Sequence, residues 1–319
     1  MKTTSLIRGT RPVIRRSSFW RSQRGSSLIA VFWMIAVLGM VLFAATKLLA
    51  TDTAAARVMR DRMQAKRYAE MGLEVGRHPS IELYDPLLSH SDEIGGYSVS
   101  ITTEEARFNI NVLLLNSDRE ILRRIFTYWK MKPEFASKLS DALKDWVDED
   151  DKISLNGAEK REYEKLGFDH LPFNRPFKSL DEMLLVRGME TVNAAYPGWR
   201  EWFTVYGDGK VDVNEARPEF ISVLAAVPME RLTPLLTLRN GRDGAHHTID
   251  DGRLNSAAQV AQLLGVFQPK IVQDLQQWVQ FAGPIRRIES TGSYNTMRRK
   301  IILITQNNQT IWRGEMPSS

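Results

Sequence analysis

The chain has 319 residues, 43% of them hydrophobic and 25% charged, with no cysteine and a formal net charge of +5. That length and hydrophobic share support one or two buried cores and exclude wholesale disorder. The absence of cysteine excludes disulfides and a thiol nucleophile, so stability rests on the core alone.

A basic balance ordinarily points to nucleic acid, but here it is concentrated at one end. Residues 1–25 carry Lys2, Arg8, Arg11, Arg15, Arg16, Arg21 and Arg24 and no acid; setting those seven aside turns +5 into −2 for the rest. The basicity reads as an N-terminal address.

Ser26 to Thr46 is a run of 21 residues without a charge. At about 1.5 Å per helical residue it spans roughly 30 Å, the thickness of bilayer hydrocarbon. Basic residues crowd its N-terminal side, which places the leader in the cytoplasm and the bulk of the chain across the membrane. Three readings compete for this segment. A secretory signal needs a shorter apolar core of about 7 to 15 residues. A plain uncleaved anchor is the second. The third is a prepilin-type signal cut after a glycine on the cytoplasmic side, which the Arg24-Gly25-Ser26 junction suits.

Beyond Lys47 the composition stays helical to about Val75, rich in Ala, Met, Leu, Arg and Glu, with no proline before Pro79. Leu49, Ala56, Met59, Met63, Ala69 and Leu73 approximate a stripe that must pack on a globular domain or on neighbouring copies. After Pro79 the period changes. Tyr97, Val99 and Ile101 alternate with small polar residues, predicting a half-buried strand that turns at Glu104–Arg107.

The middle of the chain is helical and faintly duplicated. Arg107-Phe108-Asn109-Ile110-Asn111 is echoed by Lys210-Val211-Asp212-Val213-Asn214, and Ser179–Gly188 by Ser256–Gly265; in the second pair a serine can cap a short helix and a glycine end it. Trp129, Trp146, Trp199, Trp202 and Trp278 lie in or beside apolar stretches and read as core or interface anchors.

Within the first copy lies an acidic stretch with Asp145, Asp148, Glu149, Asp150, Asp151, Glu159 and Glu162. Counting Asp148 as position one of a calcium loop puts Asp150, Ser154, Asn156 and Glu159 at positions three, seven, nine and twelve. Lys152 then falls on a ligand position and Ile153 where the turn wants glycine, so this is no EF-hand. It reads either as a solvated acidic helix end or as a calcium site of another geometry, held by Asp148, Asp150, Asp151 and Glu159.

Further on, Val223 to Gly241 has the look of a helix-hairpin-helix, yet its turn is Pro228-Met229-Glu230, with an acid where phosphate would approach. No nucleic-acid partner is expected. His246-His247 reads as an exposed loop. No HExxH, GxxxxGK[ST] or GxSxG occurs, so the expectation is that the chain is not an enzyme. Met297 to Met316 reads as two strands around Asn307-Asn308.

Taken together, "QRGSSLIAVFWM", "RFNIN", "ALKDWVDEDD", "NGAEKREYEKLG", "FNRPFKSLDEMLLVRGM" and "GDGKVDVNEARPEFISVLAAV", in that order and spacing, resemble the general secretion pathway protein K family, the large minor pseudopilins of type II secretion, from about Gln23 to about Thr310. The resemblance implies an α+β fold: a pilin-like long N-terminal helix with a small antiparallel sheet, interrupted by a large all-helical insertion domain. The expected division is a leader at 1–25, the helix at 26–78, sheet at 79–108, insertion at 109–283 and closing strands at 284–319. It further implies cleavage between Gly25 and Ser26 by a prepilin peptidase. The implied setting is the inner membrane, with the C-terminal domain periplasmic. The implied partners are the I-type and J-type minor pseudopilins at the pseudopilus tip and the inner-membrane secretion platform. Calcium binding is also implied.

In pilin-like proteins a Glu at the fifth mature position pairs with the N-terminus of an adjoining subunit; counted from Ser26, that position is Ala30. A buried amine without a partner is costly in hydrocarbon, so this subunit should stand first or topmost in its fibre. A minor pilin of a type IV pilus or DNA-uptake apparatus is the alternative.

Overall fold

The computed structural model describes residues 26–115 and 119–317; the basic leader, including Gly25, lies outside the described residues. The chain divides into two units, residues 1–59 and 60–319. Helix α1 (Ser26–Arg77) begins in the first. There, every side chain from Ser27 to Met59 is exposed, including Leu28, Phe32, Trp33, Leu38 and Phe43. The N-terminal part of α1 is long and apolar enough to cross a membrane, as a single-pass anchor would be.

The second unit is built on a five-stranded antiparallel sheet. Its strands are β1 (Ser89–Ser91), β2 (Gly95–Thr103), β7 (Ile285–Tyr294), β8 (Met297–Gln306) and β9 (Gln309–Pro317), in that spatial order. Val99 and Ile101 face the core as the alternation predicts. Two asparagine turns close the hairpins: Asn295 after β7, and Asn307-Asn308 after β8, all with φ between +50° and +62°. Asparagine tolerates this left-handed region, which a tight hairpin with matching twist requires. Strand β7 is an addition to the sequence reading, which found only the last two strands.

The C-terminal part of α1 lies on this sheet through small residues. Ala69 and Leu73 are buried against Val99, Ile101, Ile288, Ile301 and Leu303, and Ala65 is buried with its carbonyl close over Gly292, whereas Met59 and Met63 of the expected stripe are exposed. Gly72 and Gly76 sit so close that an added Cβ would strike Tyr97 and Ser290, or Val99 and Ile288. Close approach selects alanine and glycine here, not the larger apolar residues.

Between β2 and β7 runs the insertion. In chain order it contains β3 (Phe108–Asn109), α2 (Ile110–Leu115), α3 (Glu120–Tyr128), α4 (Pro133–Val147), α5 (Lys160–Glu164) and α6 (Met189–Ala195). It continues through β4 (Phe203–Thr204), β5 (Val211–Asp212), α7 (Pro218–Ala225), α8 (Thr233–Arg239), α9 (Ala257–Leu264), α10 (Pro269–Trp278) and β6 (Val279–Gln280). It is helical apart from two parallel two-residue pairings, β3 with β4 and β5 with β6. All five tryptophans read as anchors are buried in its core.

The internal duplication is visible in the hydrogen bonds. Asn111 closes two bonds with the backbone of Phe177, donating Nδ2 to its carbonyl at 3.0 Å and accepting its N–H at 2.8 Å. Asn214 does the same with Leu254, at 3.0 and 2.9 Å. Phe177 lies two residues before Ser179, and Leu254 two before Ser256, so the two sequence echoes are joined by one repeated side-chain clamp. Asn109 and Asp212 repeat as well, each accepting the N–H two residues on at 3.0 Å.

A buried ionic ladder ties the sheet to the insertion. Glu104, 3% exposed, accepts from Arg287 at 2.6 Å and from Thr204 of β4 at 2.6 Å, while Glu289 accepts from Arg287 at 2.6 Å and Lys300 at 3.0 Å. Burial alone would raise the Glu289 carboxyl, but Arg287 and Lys300 outweigh it and hold it down to about 2. A depressed pKa stabilises the fold above the unfolded value near 4.5, and that contribution is lost as pH falls through about 2. In acid titrations followed by circular dichroism, Glu289→Gln is therefore expected to lower stability at pH 6 and to flatten the loss between pH 4.5 and 2.

Candidate functional site

The C-terminal end of α4 and the loop that follows it gather the acidic residues. Proline at the first turn starts α4, and Asp141, Asp145 and Asp148 follow on its last two turns, so their carboxylates meet the returning loop. Asp145 is fully buried and accepts from the Ser154 N–H at 3.1 Å; Asp141 accepts from the Asn156 N–H and side chain, both at 3.2 Å, and from Arg119 at 3.0 Å. Gly157 completes the wrap: a Cβ there would fall 1.8 Å from Asp145 Oδ2. The loop folds around α4 and not as a twelve-residue calcium loop.

The surrounding residues leave oxygens without partners. Glu159 is 4% exposed and precedes α5, where Glu162 accepts its backbone N–H at 3.2 Å. Among the described residues, Asp148 Oδ1 and Asn174 Oδ1 are buried with no hydrogen-bond partner, and the buried Glu159 carboxylate meets only the backbone N–H groups of the first turn of α5. Burial, reinforced by the charges of Asp145, Asp148 and Asp151, pushes the Glu159 carboxyl up to about 7. Burial also raises Asp145 and Asp148, with neighbouring carboxylates adding to it. Orphaned oxygens among mutually repelling carboxylates are what an oxygen-ligated divalent cation resolves.

All four residues expected as ligands lie in or beside this cluster: the charge of Asp151 reaches Glu159 and that of Asp150 reaches Asp148. Asp150 and Asp151 are exposed, and Asp150 Oδ1 accepts the Lys152 N–H at 2.8 Å. Sequence reasoning missed Asn174, which donates to Asp151 at 3.2 Å from a left-handed turn (φ +47°), and left Asp145 out of the ligand set. No spacing rule reaches from Glu159 to Asn174. Among the described residues, the triplets with ligand atoms within 4.8 Å of one another lie elsewhere, so the acidic cluster is wider than a filled coordination shell. Repulsion between uncompensated carboxylates accounts for that width.

The remaining expected site residues belong to the anchor. Gly25 lies outside the described residues, Ser26 is the first residue of α1, and Ala30 sits exposed on its apolar face. The expected exposed histidine loop is corrected: His246 and His247 are half-buried, and His247 Nε2 lies 2.8 Å from Glu215.

A long N-terminal helix, a small antiparallel sheet and helices inserted between its strands give the chain a pilin-like fold. Residues 106–206 match the family described as type II secretion system (T2SS), protein K, which begins where the first copy of the duplication begins. The chain is 28% identical over 237 residues to the type II secretion system protein K of Klebsiella pneumoniae, covering 66% of this chain and 72% of that one. It is also similar in fold to a chain of the crystal structure of the GspK–GspI–GspJ complex from the enterotoxigenic Escherichia coli type 2 secretion system. That likeness has a TM-score of 0.61 and 14% identity, and covers 84% of this chain and all of that one. The chain is thus similar in sequence and in fold to protein K of type II secretion systems.

Proposed function

We propose that this subunit stands at the tip of a type II secretion pseudopilus, starting and capping its assembly for export of proteins across the outer membrane. The observation that carries the reading is the exposed apolar length of α1, which needs lipid or sister helices, in a chain that also holds a folded sheet-and-helix unit. A prepilin peptidase cuts between Gly25 and Ser26, so the basic leader stays cytoplasmic and the head lies in the periplasm. Ala30 offers no carboxylate to the N-terminus of an adjoining subunit, so nothing recruits this chain onto an existing fibre in the ordinary way. The proposed organisation is leader 1–25, shaft 26–78, sheet 79–108 with 284–319, and insertion 109–283, whose bulk obstructs a further subunit above.

The partners in this reading are I-type and J-type minor pseudopilins, as in the related crystal structure, with the inner-membrane platform below. The acidic cluster holds calcium through Asp148, Asp150, Asp151 and Glu159, with Asp145 and Asn174 beside them; the ion neutralises the carboxylates and locks the loop onto α4.

Deleting the chain from its cell is expected to abolish export of folded proteins, and a full-length copy to restore it, with the I-type and J-type subunits co-purifying from detergent-solubilised membranes. Unchanged export together with no co-purification would overturn the proposal.

A further inference from the structure

We propose a second metal site in this chain, distinct in chemistry from the acidic cluster: His246, His247 and Glu215 bind one zinc-like transition-metal ion. The ligand atoms of these three half-buried residues lie within 4.8 Å of one another. Zinc bonds of about 2.0–2.2 Å to nitrogen and oxygen place tetrahedral ligands roughly 3.3–3.6 Å apart, so small rotamer changes bring the three into register. His247 Nε2 and Glu215 Oε2 already share a hydrogen bond at 2.8 Å, and the ion replaces that shared proton.

Adjacent side chains on extended backbone point to opposite sides. Here His247 adopts a left-handed conformation (φ +67°), and the two imidazole rings lie face to face, tilted by 32° with centroids 4.0 Å apart. Histidine is among the few non-glycine residues enriched in this conformation, and the turn it makes here brings both rings to one side of the loop.

The surrounding loop is fixed before any ion arrives. Asp251 accepts the His247 N–H at 2.7 Å, Asp250 the Arg242 N–H at 2.6 Å, and Asp243 the Ala245 N–H at 2.8 Å. Glu215 is held by its own N–H, which donates to the Asp212 carbonyl at 3.1 Å. Arg239 lines the same cavity and opposes a cation, but it is committed to the Val213 and Ala216 carbonyls and is offset by Glu215 and Asp251.

Two imidazoles and one carboxylate select zinc, nickel or copper over calcium, whose shell is oxygen. The fourth position opens into a cavity of about 400 Å³ bordered by Glu82, Tyr84 and Ile249, with room for water. The ion joins the 240–252 loop to the segment that leads into α7. This inference is independent of the role at the pseudopilus tip.

The test is calorimetric titration of ZnCl2 into the full-length, tag-free chain in detergent with millimolar calcium present to fill oxygen sites. The expected result is one zinc per chain, binding weakened at least about tenfold by His246→Ala or His247→Ala, and unaltered binding in Glu134→Gln, an exposed carboxylate in the first turn of α4. Cobalt should give the visible absorption of a nitrogen-ligated ion in the wild type and lose it in both histidine variants. Circular dichroism without metal establishes that each variant folds. Absence of saturable zinc binding, or binding equal in wild type and a folded histidine variant, would overturn the site.

Discussion

Calcium added to the ion-free chain at pH 8 is expected to raise its thermal midpoint, and Glu159→Gln to abolish that rise while itself stabilising the ion-free form. At an ion concentration 100 times the dissociation constant, linkage supplies about 2.7 kcal/mol, or roughly 5–10 °C for a unit of this size. The opposite sign in the variant follows from the electrostatics. Glu159 is buried beside the acidic cluster, and its carboxyl is pushed up to about 7 by burial and then by Asp145, Asp148 and Asp151.

A carboxyl raised in the folded state stabilises the fold below its unfolded pKa near 4.5, and that contribution disappears as pH rises through about 7. The ion-free wild type therefore loses stability relative to Glu159→Gln between pH 5 and 8, and calcium removes the difference in slope. Asp145 and Asp148, also raised, act in the same direction. Equal midpoints with and without calcium, or parallel pH curves for wild type and variant, would show that the acidic loop is a solvated helix end after all.

The second large effect is expected from Gly292→Val. A Cβ at Gly292 of β7 would stand 2.0 Å from the Ala65 carbonyl oxygen and 2.3 Å from the Ala69 nitrogen. Both are backbone atoms of α1, so no side-chain rotation relieves the clash. Overpacking against movable side chains costs about 1–3 kcal/mol. Against backbone the helix must lift off the sheet, exposing Ala65, Ala69 and Leu73. The denaturation midpoint should fall by more than that range implies, and amide exchange should accelerate across residues 60–77. Gly198→Ala, where a Cβ meets nothing within 4 Å, serves as the control and is expected to change stability by less than about 0.5 kcal/mol. Equal midpoints for wild type and Gly292→Val would contradict the described packing of helix on sheet.

The sequence made some of this legible and concealed the rest for identifiable reasons. The alternation of Tyr97, Val99 and Ile101 exposed β2 because one face of that strand is buried and the other is not. Asn307-Asn308 marked a hairpin because few residues tolerate its backbone. Arg107–Asn111 and Lys210–Asn214 pointed to a duplication, whose meaning is the Asn111 and Asn214 clamp on segments 66 and 40 residues away. The helix face was misread. Apolar size favours Met59 and Met63, whereas close approach to the sheet buries Ala65, Ala69, Gly72 and Gly76. At the acidic loop, spacing found Asp148 and Glu159 but could not supply Asn174, which reaches Asp151 from a left-handed turn 23 residues along the chain. The histidine pair looked like loose loop because composition does not reveal that Glu215 stands opposite it.

The measurement that tests the pseudopilin reading most directly is the intact mass and N-terminal sequence of the chain extracted from its native membrane, with and without the prepilin peptidase. The reading predicts a mature chain beginning at Ser26 only where the peptidase is present. A chain beginning at Met1 in both strains would contradict it.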